Sequence, residues 1–126
     1  MKTVFLIDDD SDDREIFREA LDSLDNGYTF AEAVDGEDAL NKLQEDGFVK
    51  PYIIFLDLNM PRVDGWQFLA SVKKMEAYRN IPIIIYSTSS SERDKKNAAE
   101  NGATGFITKH FSIGELTAEL KALLES

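Results

Sequence analysis

The chain has 126 residues, 43% of them hydrophobic and 30% charged, which is one domain's worth with enough apolar material for a core. Lys and Arg number 14 against 24 Asp and Glu, a formal net charge of −10, which excludes a surface built to grip nucleic acid or an anionic membrane, since both need a positive field. The absence of Cys excludes disulfides and thiolate chemistry, and a single His excludes multi-histidine metal sites.

In chain order, two hydrophobic periods alternate. The run Thr3–Ile7 has the length and composition of a strand. Its apolar part, Val4–Ile7, stops at a row of acids and is too short for the core of a signal peptide. Ile16, Phe17, Ala20, Leu21 and Leu24 then mark one face of a first helix. A second strand is predicted over Tyr28–Ala33, followed by a helix marked by Ala39, Leu40 and Leu43. The third strand, Tyr52–Leu56, precedes a helix marked by Trp66, Leu69 and Val72, with Trp66 packing at its start. The fourth strand, Ile83–Tyr86, precedes a helix over Ser91–Asn101 whose apolar stripe is thin, Ala98 and Ala99 only. Gly105–Thr108 forms a fifth strand, and Ile113, Leu116, Leu120 and Leu123 mark the last helix.

The third and fourth strands are apolar throughout, as parallel strands covered on both faces are. Strand-then-helix repetition predicts an α/β domain over residues 1–126, a parallel sheet with helices on both sides. A second, separately folded effector domain does not fit in this length, and no run approaches a membrane span. A cytoplasmic location is expected.

Functional residues of an open parallel sheet gather beyond the C-terminal ends of its strands. After the first strand come Asp8, Asp9 and Asp10; after the third, Asp57, Leu58, Asn59, Met60 and Pro61; after the fourth, Ser87, Thr88 and Ser89; after the fifth, Lys109 and His110. The pair Asp8-Asp9, the run Asp57-Leu58-Asn59-Met60-Pro61 with Asp64-Gly65 behind it, Ser87 and Lys109 stand in this order, each at a strand end. Together they resemble the receiver domain of two-component response regulators, chemotaxis receivers among them, and the match covers essentially the whole chain.

The resemblance implies a flavodoxin-like, doubly wound five-stranded parallel sheet in the order 2-1-3-4-5 with five helices. With the first and third strands adjacent, Asp8, Asp9 and Asp57 repel by about 3 kcal/mol per pair at roughly 5 Å, and a hard divalent cation with oxygen ligands, Mg²⁺ foremost, offsets this. By resemblance, Asp9, Asp57 and the backbone carbonyl of Asn59 bind the metal directly and Asp8 acts through water. Asp57 is then the phosphoacceptor, Lys109 supplies a point charge to the phosphoryl group, and Ser87 offers it a hydroxyl. Ser87 and Phe106 form the implied switch, altering the face made by the fourth helix, fifth strand and fifth helix. The implied donor is a histidine kinase or a histidine phosphotransfer protein. The chain is expected to act as a stand-alone receiver on a downstream protein, not as an enzyme beyond slow self-catalysed phosphorylation and dephosphorylation. The resemblance also leaves a dimer through the switched face open.

Rival readings are weighed on particular residues. Asp8-x-Asp10-x-Asp12 with Glu19 has EF-hand spacing, but Asp13 occupies the position that needs Gly and a strand precedes it. A phosphatase with an aspartyl phosphoenzyme needs a general acid two residues after the nucleophile, and Asn59 cannot serve. A receiver-fold interaction module that works without phosphorylation is the remaining alternative, and His110, where the family usually has Pro, is its one argument. That substitution also leaves the Lys109–His110 peptide open between cis and trans. Asp10, Asp12 and Asp13 are expected to be solvated acids at a helix N-terminus. Whatever stands at Asn59 and Ser89 would screen the acyl phosphate from water, and their small polar side chains imply a moderately accessible site.

Overall fold

The five apolar runs pair side by side into a parallel sheet in the order β2-β1-β3-β4-β5. The computed structural model describes all residues except 1, 25, 26, 61, 89, 90, 110, 111 and 126. The elements are β1 (Thr3–Ile7), α1 (Ser11–Asp22), β2 (Thr29–Ala33), α2 (Gly36–Leu43), β3 (Ile53–Leu56), α3 (Gly65–Lys73), β4 (Ile83–Ser87), α4 (Glu92–Glu100), β5 (Gly105–Thr108) and α5 (Ile113–Leu124). The flavodoxin-like architecture is therefore present. Ser87 is the last residue of β4, paired with Thr108, rather than the first residue after the strand. The Lys109–His110 peptide, Pro61 and Ser89 lie outside the described residues.

Alternation along each central strand sends side chains into two separate cores. Phe5, Ile7, Ile54, Leu56, Ile83 and Ile85 meet Ala39, Leu43, Phe68, Leu69, Val72 and Ala98 of α2, α3 and α4. Val4, Leu6, Phe55, Ile84 and Tyr86 meet Phe17, Ala20, Leu21, Leu116, Leu120 and Leu124 of α1 and α5. Phe17 is the pivot of the second core, with its ring centroid 5.0 Å from Phe55 and 5.5 Å from Tyr86, both edge-on. β1, β3 and β4 are buried along their whole length, as expected for strands covered on both faces.

Two helices differ from the expected faces. On α4 only Ala98 is buried, and Ala99, one residue and about 100° further round, is exposed. On α5 the buried face is Leu116, Leu120 and Leu124 at every fourth position, while Ile113 in the first turn stays 40% exposed.

Every helix begins at the C-terminal edge of the sheet with a side-chain cap: Asp10, Asp35, Asp64, Ser91 and Ser112. Asp64 and Gln67 complete a reciprocal capping box on α3. The same helix packs hard against the strand end, because Gly65 donates its N–H to the Leu58 carbonyl at 3.1 Å. A β-carbon at position 65 would collide with the Asp57 carbonyl oxygen and lie 2.6 Å from the Leu58 Cα, both backbone atoms. Gly65→Ala is expected to cost at least ~2 kcal/mol, because backbone on both sides must shift. Urea unfolding of the variant measures the loss, and wild-type stability would show that the α3 start yields freely.

Candidate functional site

The register that pairs Ile7 with Leu56 places Asp8 and Asp57 side by side one residue further on. The ladder continues past the strands: Asp8 N–H donates to the Ala33 carbonyl at 3.1 Å, and Asp57 N–H to the Ile7 carbonyl at 2.9 Å. Each carboxylate is then oriented by the chain just after it. Asp8 Oδ1 accepts from the Asp10 N–H at 3.0 Å, and Asp57 Oδ1 accepts from the Asn59 N–H at 3.2 Å. The Arg14 guanidinium spans the Asp8 carbonyl and the Glu32 carboxylate, each at 2.8 Å, pinning the end of β1 to β2.

One carboxylate oxygen from each of Asp8, Asp9 and Asp57 lies within 4.8 Å of the others. At that spacing like charges repel by about 3 kcal/mol per pair at an effective dielectric near 20. Asp8 and Asp57 are buried and Asp9 is exposed, so the cluster opens to solvent through Asp9. Lys109 enters from the end of β5, its backbone N–H donating to the Ser87 carbonyl at 2.8 Å. Its Nζ lies 2.8 Å from Asp8 Oδ2, 2.8 Å from Asp13 Oδ2 and 3.5 Å from Asp57 Oδ2. The contact with Asp8 is a charge contact without hydrogen-bond alignment, and Asp8 Oδ2 is the one buried side-chain polar atom among the described residues without a hydrogen-bond partner. Three hard oxygen donors within one ion's reach, two of them on buried carboxylates and one of those without an aligned hydrogen bond on Oδ2, fit a hard divalent ion such as Mg²⁺.

Among the described residues, those singled out at the strand ends reach this edge of the sheet. Ser87 is fully buried at the end of β4, and Asn59 is exposed beyond β3. Phe106 is half-buried on β5, packed against the α2–α3–α4 core, with Lys95 Nζ of α4 6.0 Å from its ring centroid. Asp10 caps α1 as expected, accepting from the Asp12 and Asp13 N–H groups. Asp13 does not behave as a solvated acid: it turns back onto Lys109.

Three further positions had no sequence signal. Asp35 is buried, and it binds Arg62 Nε at 2.9 Å and a second guanidinium nitrogen at 2.5 Å. Arg62 holds a positive φ of 60° to make that contact, and the next residue's carbonyl, Val63, accepts from the Gly36 N–H at 3.0 Å. The β2–α2 turn thus clamps the β3–α3 loop that carries Asn59. Arg14, which ties the ends of β1 and β2 together, is the third.

Burial pushes the Asp8 carboxyl up to about 6, against the lowering effects of Lys109 and the Asp10 N–H. Asp57 is also raised, by burial first, with Lys109 and the Asn59 N–H opposing. Burial alone would lower Lys109, but its hydrogen bond to Asp13 and its attraction to Asp8 and Asp57 hold it above the ordinary lysine range. Burial raises Asp35 too, but the Asp38 N–H and Arg62 outweigh it and hold it low.

Acids raised in the fold keep protons that the unfolded chain has already released, so the metal-free protein loses stability as pH rises through that interval. For Asp8 the interval runs from its ordinary 3.8 to about 6. The loss is on the order of 3 kcal/mol. Asp35, held low, acts with the opposite sign and only below the ordinary carboxylate range. Urea melts in chelator are expected to show stability falling from about pH 4 to pH 6.5, and Asp8→Asn is expected to flatten that slope. A wild-type curve that climbs over the same range would contradict the assigned burial cost.

The family model for the response regulator receiver domain matches residues 4–121. The chain is 36% identical over 118 residues to the sensor histidine kinase CheAY of Helicobacter pylori, covering 94% of this chain and 14% of that protein. It is 35% identical over 123 residues to protein PilG of Pseudomonas aeruginosa, covering 98% of this chain and 87% of that one. It spans about half the length of other curated relatives, transcriptional regulatory proteins among them. The crystal structure of the phosphorylated cyanobacterial phytochrome response regulator RcpA superposes with a TM-score of 0.88 at 30% identity, over 98% of this chain and 91% of that one. Among the described residues no helix is long and apolar enough to cross a membrane. A sheet order, an acid cluster and a sequence match that all agree over nearly the full length place the chain in the response regulator receiver domain family of two-component systems.

Proposed function

We propose that the chain is a stand-alone receiver that accepts a phosphoryl group on Asp57 in a Mg²⁺-dependent reaction and passes the signal by binding another protein. The observation that carries this is the meeting of Asp8, Asp9 and Asp57 within one ion's reach, with Lys109 against the same carboxylates. The similarity to PilG over most of that protein's length supports a receiver without an attached effector.

Asp9, Asp57 and the Asn59 carbonyl would hold the ion directly and Asp8 through water. When bound, the ion would supply positive charge that offsets the negative charge gathered at phosphoryl transfer. Asp57 Oδ2 attacks phosphorus as the bond from phosphorus to the donor nitrogen of a phosphohistidine breaks. The imidazole leaves with that electron pair, and an acyl phosphate remains on Asp57. The donor is a histidine kinase or a histidine phosphotransfer protein. Lys109 pairs with the transferred group, and the Ser87 hydroxyl, at the neighbouring strand end, binds another of its oxygens. The side chain goes from about −1 to about −2, and this local charge biases Ser87 and Phe106 and, through them, the α4–β5–α5 face.

Incubation with acetyl phosphate and Mg²⁺ is expected to add one phosphoryl group to the intact mass. Chelator and Asp57→Asn are each expected to abolish the gain. Catalytic phosphate release without a stable adduct would favour a phosphatase, and an unchanged mass would favour the phosphorylation-independent module. Without Mg²⁺, Asp57→Asn is also expected to stabilise the fold by about 1–2 kcal/mol, since repulsion within the cluster exceeds the lost contact with Lys109. A lower melting temperature for that variant would sink the acid-pocket argument.

A further inference from the structure

Lys109 carries one positive charge and faces three carboxylates. Two hold it at 2.8 Å, Asp8 and Asp13, while Asp57 stands back at 3.5 Å. Asp8 belongs to the acid cluster, but Asp13 does not: it sits in the first turn of α1, with its side chain about one-third exposed. It is not needed as a cap, because Asp10 already accepts the first-turn N–H groups. Its contact with Lys109 spans 96 positions of sequence and is a side-chain hydrogen bond of 2.8 Å, shorter than the 3.5 Å bond from the same ammonium to Asp57, whereas the Asp8 contact lacks hydrogen-bond alignment. Arg14, the residue after it, ties this turn to the Asp8 carbonyl and to Glu32, so the Asp13 carboxylate is delivered to Lys109 by an anchored backbone.

We propose that Asp13 is a positioning residue that holds the Lys109 ammonium back from Asp57, so that Lys109 must be drawn off Asp13 when a phosphoryl group occupies Asp57. This rests on the reading of Asp57 as the phosphoacceptor and of Lys109 as its cationic partner. An ammonium drawn toward Asp13 leaves more negative charge on Asp57, which favours the divalent ion. The same ammonium is then less available to a phosphoryl group, so Asp13 opposes phosphoryl binding. The two equilibria therefore shift in opposite directions when Asp13 is removed. A helix-stabilising acid would shift neither.

The test uses calorimetric titration of the full chain with Mg²⁺ alone, and then with beryllofluoride at saturating Mg²⁺ as a non-covalent phosphoryl mimic. Asp13→Asn is expected to weaken Mg²⁺ binding and tighten beryllofluoride binding, each by about threefold to fivefold, the size of a partly exposed charge contact. Asp13→Ala, which removes the acceptor as well as the charge, is expected to do the same. Asp13→Glu is expected to restore the wild-type values. In a Lys109→Ala background Asp13→Asn is expected to leave both affinities unchanged. An undiminished effect without Lys109, or no opposed shift with it, overturns the proposal while leaving the phosphoacceptor reading intact. Failure of the unaltered chain to bind Mg²⁺ and beryllofluoride at millimolar concentration overturns both.

Discussion

The structure depends on holding like charges together at the end of a parallel sheet. Asp8 and Asp57 are buried next to each other with Asp9 at their open side, and the Lys109 ammonium is, among the described residues, the cation against both buried carboxylates. Left alone, such carboxylates would turn outward to water. They do not, because the β1–β2 ladder runs on through Asp8 and the β1–β3 ladder through Asp57, and because each of these two carboxylates is tied by one oxygen to a backbone N–H two residues later. The second oxygen of each is left facing Lys109. Burial raises both acids, so the site is poised to take up positive charge.

The surrounding loops supply the rigidity that this arrangement needs. α3 begins so close to the Asp57 backbone that only a residue without a β-carbon fits at position 65. The β2–α2 turn grips the next loop through the buried Asp35 carboxylate, the Arg62 guanidinium and the Gly36 N–H. Arg14 closes the remaining side by joining the ends of β1 and β2. Ties on three sides explain how a repulsive cluster survives in a fold whose total stability is of the same order as the sum of those repulsions, about 9 kcal/mol for three pairs.

The two faces of the sheet are not equally secured. α1 and α5 bury aromatic and leucine side chains around Phe17, whereas α4 is fastened to its side by Ala98 alone among its buried residues. Elements with little buried apolar surface open or shift at low cost. Phe106 lies half-buried next to Lys95 of that helix and pairs with Ile85, two residues before Ser87 at the end of β4. A charge added at Asp57 therefore acts next to the part of the fold that moves most cheaply, which fits the switching role proposed for it.

The sequence by itself determined the strand ends, and with them most of the site. Short apolar runs fixed where β1, β3 and β5 stop to within a residue, and Asp8, Asp9, Asp57 and Lys109 follow at once. The order of the strands came from the family resemblance, because alternation of strands and helices is compatible with more than one order. What α4 and α5 bury was only half legible: a stripe of two alanines or of spaced leucines does not say which member faces the sheet, and Ala99 and Ile113 face away. Tertiary structure alone decided the partners of charged side chains. Asp10, Asp12 and Asp13 look alike as acids at a helix start, yet only the fold, which brings the start of α1 and the end of β5 to one edge of the sheet, sets Asp13 against a lysine 96 positions away. Asp35 and Arg62 are 27 positions apart and meet because two loops converge at one sheet edge. Local patterns report which face of an element is apolar, whereas a long-range ion pair is set by where the elements end up in space.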